Sequence, residues 1–130
     1  DCGLLRQLAR LPASTILNTN ANYTEFKGSL AENAVLQSIV PLTCNDVPHY
    51  WSPDSRAEVE FVIQWGENIV PVEVKAENCG SGKSLSVYKE RYQPKLRIRF
   101  SFLNLQYNEG LLSCPSSLAD WFPKLLPQSS

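Results

Sequence analysis

Residues 57–76 read AEVEFVIQWGENIVPVEVKA, and the way this stretch pairs with itself decides the fold. Segments 57–64 and 69–76 alternate apolar and polar residues and are rich in Val, Ile and Phe, the period-two pattern of half-buried strands. Trp65-Gly66-Glu67-Asn68 between them reads as a turn, so the stretch predicts an antiparallel hairpin. An even-length turn centred between Gly66 and Glu67 pairs residues whose numbers add to 133. Glu60 then stands opposite Glu73, and Glu58 opposite Lys75; directly opposed residues share a face. A slip of one residue would set Glu60 against a valine and mix the faces. In the chosen register Val59, Phe61, Ile63, Val70, Val72 and Val74 bury together. The other face gathers Glu58, Glu60, Glu73 and Lys75.

Two carboxylates directly across a ladder repel each other. A divalent cation compensates such a pair, because Mg²⁺ takes one or two carboxylate oxygens and keeps several waters. A neighbouring lysine stabilises a developing anion or positions a water. Metal-assisted phosphodiester hydrolysis needs this set of groups. Spacing alone leaves a second reading open, in which the hairpin presents a charged face to solvent and Lys75–Glu58 is a surface pair worth little.

Outward from the hairpin, Leu4, Leu5, Leu8 and Leu11 make a short helical stripe, and residues 12–27, rich in Asn, Thr, Ser and Ala, read as a loop. Residues 28–39 predict a helix whose apolar face holds Leu30, Ala31, Ala34, Val35 and Ile39, with Pro41 past its end. Residues 49–52 are a short aromatic strand candidate, 77–83 a loop, and 85–92 a second helix ended by Pro94. Residues 96–103 predict a late strand with Leu96, Ile98, Phe100 and Phe102 on one face. A weaker strand at 111–113 and a helical turn at 117–122 follow. This order predicts a single α/β domain with a central mixed sheet of four to five strands and helices on both faces. Residues 1–27 form an N-terminal extension, 28–122 the core, and 123–130 a frayed tail.

Length and composition narrow the class. The 130 residues suffice for one domain, and 43% hydrophobic with 19% charged residues fits a globular chain. The net charge of −1 supplies no global basic field, so any nucleic-acid contact has to be local. No apolar run approaches the roughly 20 residues of a membrane span, and no secretory signal stands at the start. Cys2, Cys44, Cys79 and Cys114 are far apart, and His49 is the single histidine, unlike the paired spacing of zinc sites. They read as reduced thiols in a cytoplasmic protein. The chain has no Met and starts at Asp1, which reads as a piece of something longer.

Three further features carry less. Gly80-Ser81-Gly82-Lys83-Ser84 imitates the end of a P-loop, but Glu77 stands where the motif needs Gly, and an acid there opposes phosphate. The bland reading is a loop whose Ser84 caps the next helix. Lys83, Lys89, Arg91, Lys95, Arg97 and Arg99 form a basic stretch able to track a phosphate backbone. Arg97 and Arg99 alternate with Leu96, Ile98 and Phe100, so they read as the wet side of an amphipathic strand. His49 lacks a triad partner pattern and reads as structural, and Trp51, Trp65 and Trp121 as core or rim packing.

Glu60 followed by Glu73-Val74-Lys75 on consecutive strands resembles the acid…E-x-K signature of the PD-(D/E)XK nuclease superfamily. FKGSLAENAVLQSI, HYWSPDSRAEVEFVIQWGENIVPVEVKAE, GKSLSVYKERYQPK, FSFLN and the opening DCGLL together resemble the C-terminal domain of unknown function found in prokaryotic AAA-type ATPases. The resemblance runs through nearly the whole chain. It implies a restriction-endonuclease-like core in which Glu32, Glu60 and Glu73 hold Mg²⁺ or Mn²⁺. Glu60, Glu73 and Lys75 would be catalytic, and Lys83 and Ser84 would lie at the rim toward nucleic acid. It further implies DNA as substrate, an N-terminal ATPase part of the same full-length protein as partner, and no membrane. One departure stands out. The superfamily's second-motif acid is usually Asp, and the extra methylene of Glu60 displaces the carboxylate by roughly 1 Å, which catalysis tolerates poorly. The alternative is therefore a catalytically inactive module of the same fold that binds DNA or protein, or docks on its own ATPase part.

Overall fold

The hairpin of residues 57–76 lies within a six-stranded mixed sheet in the computed structural model, which describes residues 2–10, 14, 24–43, 47–54, 57–76 and 82–126. In chain order the elements are α1 (Cys2–Leu8), α2 (Thr24–Ile39), β1 (His49–Asp54), β2 (Ala57–Trp65), β3 (Asn68–Val74), α3 (Lys83–Tyr92), β4 (Arg97–Ser101), β5 (Gln106–Asn108), β6 (Leu111–Pro115) and α4 (Phe122–Leu125). A 3-10 turn over Val40–Leu42, with Pro41 inside it, ends α2. A second, Ser116–Trp121, leads into α4. The strands stand in the order β1-β2-β3-β4-β6-β5. Pairs β1–β2, β2–β3 and β5–β6 are antiparallel, whereas β3–β4 and β4–β6 are parallel. A parallel neighbour needs a crossover, and α3 provides it between β3 and β4.

The α/β architecture expected from the sequence is present, with one strand more than the upper expectation. The extra strand is β5, whose residues Gln106, Tyr107 and Asn108 are all exposed and carry no alternation to reveal it. Helix α2 begins four residues ahead of residue 28. Pro123, Lys124 and Leu125, expected in a frayed tail, complete α4, and Leu125 and Leu126 pack on the core. Most of the expected loop at 12–27 and that at 77–83, and Leu11, lie outside the described residues.

Two apolar clusters hold the layers together. Val35 and Ile39 of α2 pack with Ile63, Val70, Val72, Val74, Ile98, Phe100, Leu112, Cys114 and Phe122. On the other face Leu85 and Tyr88 of α3 cover Val59, with Trp51, Val62 and Leu111 alongside. Full burial of each such side chain stabilises by about 1.5–3 kcal/mol. Phe102, expected on the buried side of β4, lies beyond the strand end and is 71% exposed.

The expected hairpin register holds from Trp65–Asn68 to Phe61–Val72. Gly66 opens the turn with φ of 60°, and Glu67 keeps the ordinary sign, the pattern of a turn with glycine first. The ladder then changes. Against β1, β2 runs from His49↔Val62 to Trp51↔Val59, three residues against two. This β-bulge re-aims the chain. Val59 consequently joins the α3-side cluster instead of burying with Phe61, Ile63 and the β3 valines. The assumption of strict alternation through residue 59 is thus corrected.

Phe100 is fully buried on β4 between both halves of the sheet and α4, 6.3 Å from the Phe122 ring. Phe100→Ala is expected to lower unfolding free energy by about 3–5 kcal/mol, measured by urea denaturation; a loss under about 1 kcal/mol would show that this core is not packed as described.

Candidate functional site

The bulge and the meeting of parallel with antiparallel strands bring the acidic residues together. Lys75 follows β3 directly, and its N–H donates to the carbonyl of Phe100 at 2.8 Å, so its backbone stays on the sheet. Its ammonium lies 3.2 Å from Glu73 Oε1 and 3.7 Å from Glu60 Oε1. Glu60, released from regular pairing by the bulge, accepts the N–H of Val74 on Oε2 at 3.2 Å. Glu60, Glu73 and Lys75 therefore converge. Glu58 does not join Lys75 as the extrapolated register required; it is exposed, and its N–H donates to Ser84 Oγ at 3.3 Å.

Glu32 comes from α2 and stays outside ion-pair distance of Lys75, yet it senses the cluster. Burial raises its pKa above 4.5, repulsion from Glu58 adds to the rise, and Lys75 opposes it. Burial likewise raises the pKa of Glu60, while its own backbone N–H, Lys75 and the Val74 N–H pull the other way. Among the described residues, no three His, Cys, Asp or Glu side chains gather closely enough to hold a metal ion. Two carboxylates, Glu60 and Glu73, do share one cation.

The sequence reading missed the residue that holds Glu73. Arg99 is its direct neighbour on parallel strand β4, and the Arg99 Nε–H donates to Glu73 Oε2 at 2.8 Å. Glu73 is 1% exposed, so this pair is nearly dry on the acid's side. Oε1 has no aligned hydrogen bond; its contact with the Lys75 ammonium is one of charge. The expectation of a wet face fails for both arginines: the Arg99 guanidinium packs against Gly82 ahead of α3, and Arg97 reaches the turn between β5 and β6. Arg97 is buried and donates from Nη2 to the Glu109 carbonyl at 2.6 Å. Burial lowers its pKa, countered in part by Glu109. Arg99 itself was visible in the sequence, but the parallel register that sets it beside Glu73 was not.

The rim residues divide. Lys83 is exposed at the start of α3, whereas Ser84 Oγ is engaged by Glu58. Ser84 is not the cap of α3; that position is Gly82, with no side-chain cap bond. Lys89, Arg91 and Lys95 remain exposed, and Lys89 lies 3.6 Å from Glu109. His49 is exposed at the start of β1. Trp51 meets Tyr88 and Tyr92 edge-on, Trp65 packs on Phe122, and Trp121 is 54% exposed. Cys114 is a free, buried thiol whose pKa burial pushes up to about 11; Cys44 and Cys79 fall outside the described residues. No described helix is long and apolar enough to cross a membrane.

Fold and site together define an α/β domain with a carboxylate–ammonium cluster where the antiparallel and parallel parts of its sheet meet. A family model, Domain of unknown function (DUF4143), matches residues 27–116. The chain belongs to that family. No curated protein and no solved structure matches it.

A raised acid pKa means that the folded state binds a proton more tightly than the unfolded chain. That contribution favours folding at low pH and weakens it as pH rises through the window above 4.5. Relative to Glu60→Gln, whose amide oxygen still accepts the Val74 N–H, the wild type is expected to lose stability as pH is raised from 4.5. Unfolding titrations of both proteins across that range check this; parallel curves would contradict it.

Proposed function

We propose that this domain is a metal-dependent nuclease-like module with a restriction-endonuclease-like core, acting on DNA as part of a larger AAA-type ATPase. The observation that supports this reading is the meeting of Glu60 and Glu73 on one Lys75 ammonium, at 3.7 and 3.2 Å. The donor set suits Mg²⁺ or Mn²⁺. Glu73 Oε1 is buried without a hydrogen-bond partner, and Glu60 Oε1 faces the same ammonium. Two hard oxygens are what Mg²⁺ takes while keeping its waters. Glu60 and Glu73 would hold the ion, with Glu32 completing the acidic wall from α2. The ion would supply Lewis acidity and a water of lowered pKa.

Lys75 has a second task. Its side chain is 30% exposed and its four-carbon stem is flexible, so it can leave the carboxylates. It would then orient the attacking water or stabilise charge on the phosphorane-like centre. Lys83, exposed at the start of α3, would meet a backbone phosphate, with Ser84 behind it. Attachment to an ATPase part supplies DNA locally, which offsets the net charge of −1.

A second reading is favoured by Arg99. Its bond to Glu73 at 2.8 Å, with Lys75 alongside, neutralises the carboxylate pair without any metal, and Glu60 stands where the superfamily uses Asp. The domain would then be a silent module that binds DNA or protein, or docks on its ATPase part.

Incubation with plasmid and short duplexes in Mn²⁺ separates the readings. Cleavage is expected, slowed about 100-fold or more in Lys75→Ala. No cleavage by the wild type, or equal cleavage by the variant, would leave the silent module.

A further inference from the structure

We infer that Arg99 is the positioning residue of this site, fixing the Glu73 carboxylate so that its second oxygen faces Lys75 and Glu60, and that Gly82 is the notch that admits the guanidinium. The inference builds on the reading of Glu60 and Glu73 as a metal-dependent pair. Glu73 and Arg99 stand side by side on β3 and β4. A carboxylate held at one oxygen by a charged N–H donor has its orientation restricted. Here Oε2 is held at 2.8 Å, which leaves Oε1 to the Lys75 ammonium at 3.2 Å.

The guanidinium can lie there because nothing projects from residue 82. A side-chain carbon built on Gly82 would overlap Arg99 Nη2 and come within 2.9 Å of Cζ. The far atoms of Arg99 would have to move, and the bond to Glu73 with them. Gly82 also has φ of 43°, a left-handed conformation that Asn tolerates better than other side chains. Two demands on residue 82, backbone and space, can therefore be tested apart. Gly82 precedes α3, so one guanidinium links the Lys83 end of that helix to the central carboxylate. Arg99 makes no ion pair with Glu60 among the described residues, whereas Glu73 pairs with both Arg99 and Lys75, so Glu73 is the group that joins Arg99 to the cluster.

The test uses Gly82→Asn, which keeps the left-handed backbone and fills the notch, and Arg99→Lys, which keeps the charge and loses the planar fork. In nitrogen-edited NMR of the metal-free protein, Arg99 Nε–H should exchange slowly. Gly82→Asn should speed that exchange by about tenfold or more, as loss of a charge-assisted bond implies, and move the Glu73 δ-carboxyl carbon resonance. Arg99→Lys should move the same Glu73 resonance and raise the Mn²⁺ dissociation constant by about tenfold, with the fold retained. Gly82→Asn that leaves the Arg99 and Glu73 signals at wild-type positions overturns the inference. Should that variant fail to fold, an unmoved Glu73 resonance in Arg99→Lys overturns it instead. A wild type that binds no Mn²⁺ defeats the metal reading alone, because the metal-free NMR arm still decides whether Arg99 and Gly82 set Glu73.

Discussion

The buried carboxylate of Glu73 constrains the rest of this structure. It sits on β3, where an antiparallel neighbour on one side gives way to a parallel neighbour on the other. A carboxyl group at 1% exposure calls for polar partners; a buried ion pair that loses one partner costs about 3–5 kcal/mol. Arg99 from β4 and Lys75 from the end of β3 meet that need. Their placement depends in turn on the crossover through α3, which brings β4 beside β3, and on the Lys75 N–H bond to Phe100. A hydrophobic residue at position 73 would fill the space at less electrostatic cost. The buried charge pair is therefore the feature that calls for a functional explanation.

Much of the fold was legible because the hairpin obeys simple periodicity. Alternation in 57–64 and 69–76, with Gly66 in the turn, fixed both strands and their register as far as Phe61–Val72. The failures have local causes. The bulge near Glu60 leaves no mark in the sequence, since the apolar–polar alternation of Ala57 to Phe61 runs through it unbroken; it moved Val59 to the other core and gave Glu60 its bond to Val74. Arg97 and Arg99 alternate with apolar residues as a solvent face would, and only their contacts with the Glu109 carbonyl and with Glu73 beside Gly82 draw them away from water. β5 has three exposed residues and no pattern to read.

The same causes explain how much of the site was legible. Glu60, Glu73 and Lys75 meet as their order along the hairpin implied, although the bulge rather than straight cross-strand opposition brings Glu60 in. Glu32 approaches from a helix, and its relation to the sheet depends on packing that no local pattern encodes; its raised pKa, caused first by burial, records that packing. Arg99 becomes visible only through the parallel register Glu73↔Arg99, a contact 26 residues apart in sequence. Short-range reading thus finds groups that share a hairpin and misses groups joined by a crossover.

On the proposed function, Glu60 and Glu73 form a cation-binding pair centred on the present place of the Lys75 ammonium. Paramagnetic broadening of amide resonances by substoichiometric Mn²⁺ measures this directly. The expected result is selective loss of the Val74 and Lys75 signals and their β2 and β4 neighbours, abolished by Glu73→Gln. Broadening centred elsewhere, or none at millimolar Mn²⁺, would contradict the account.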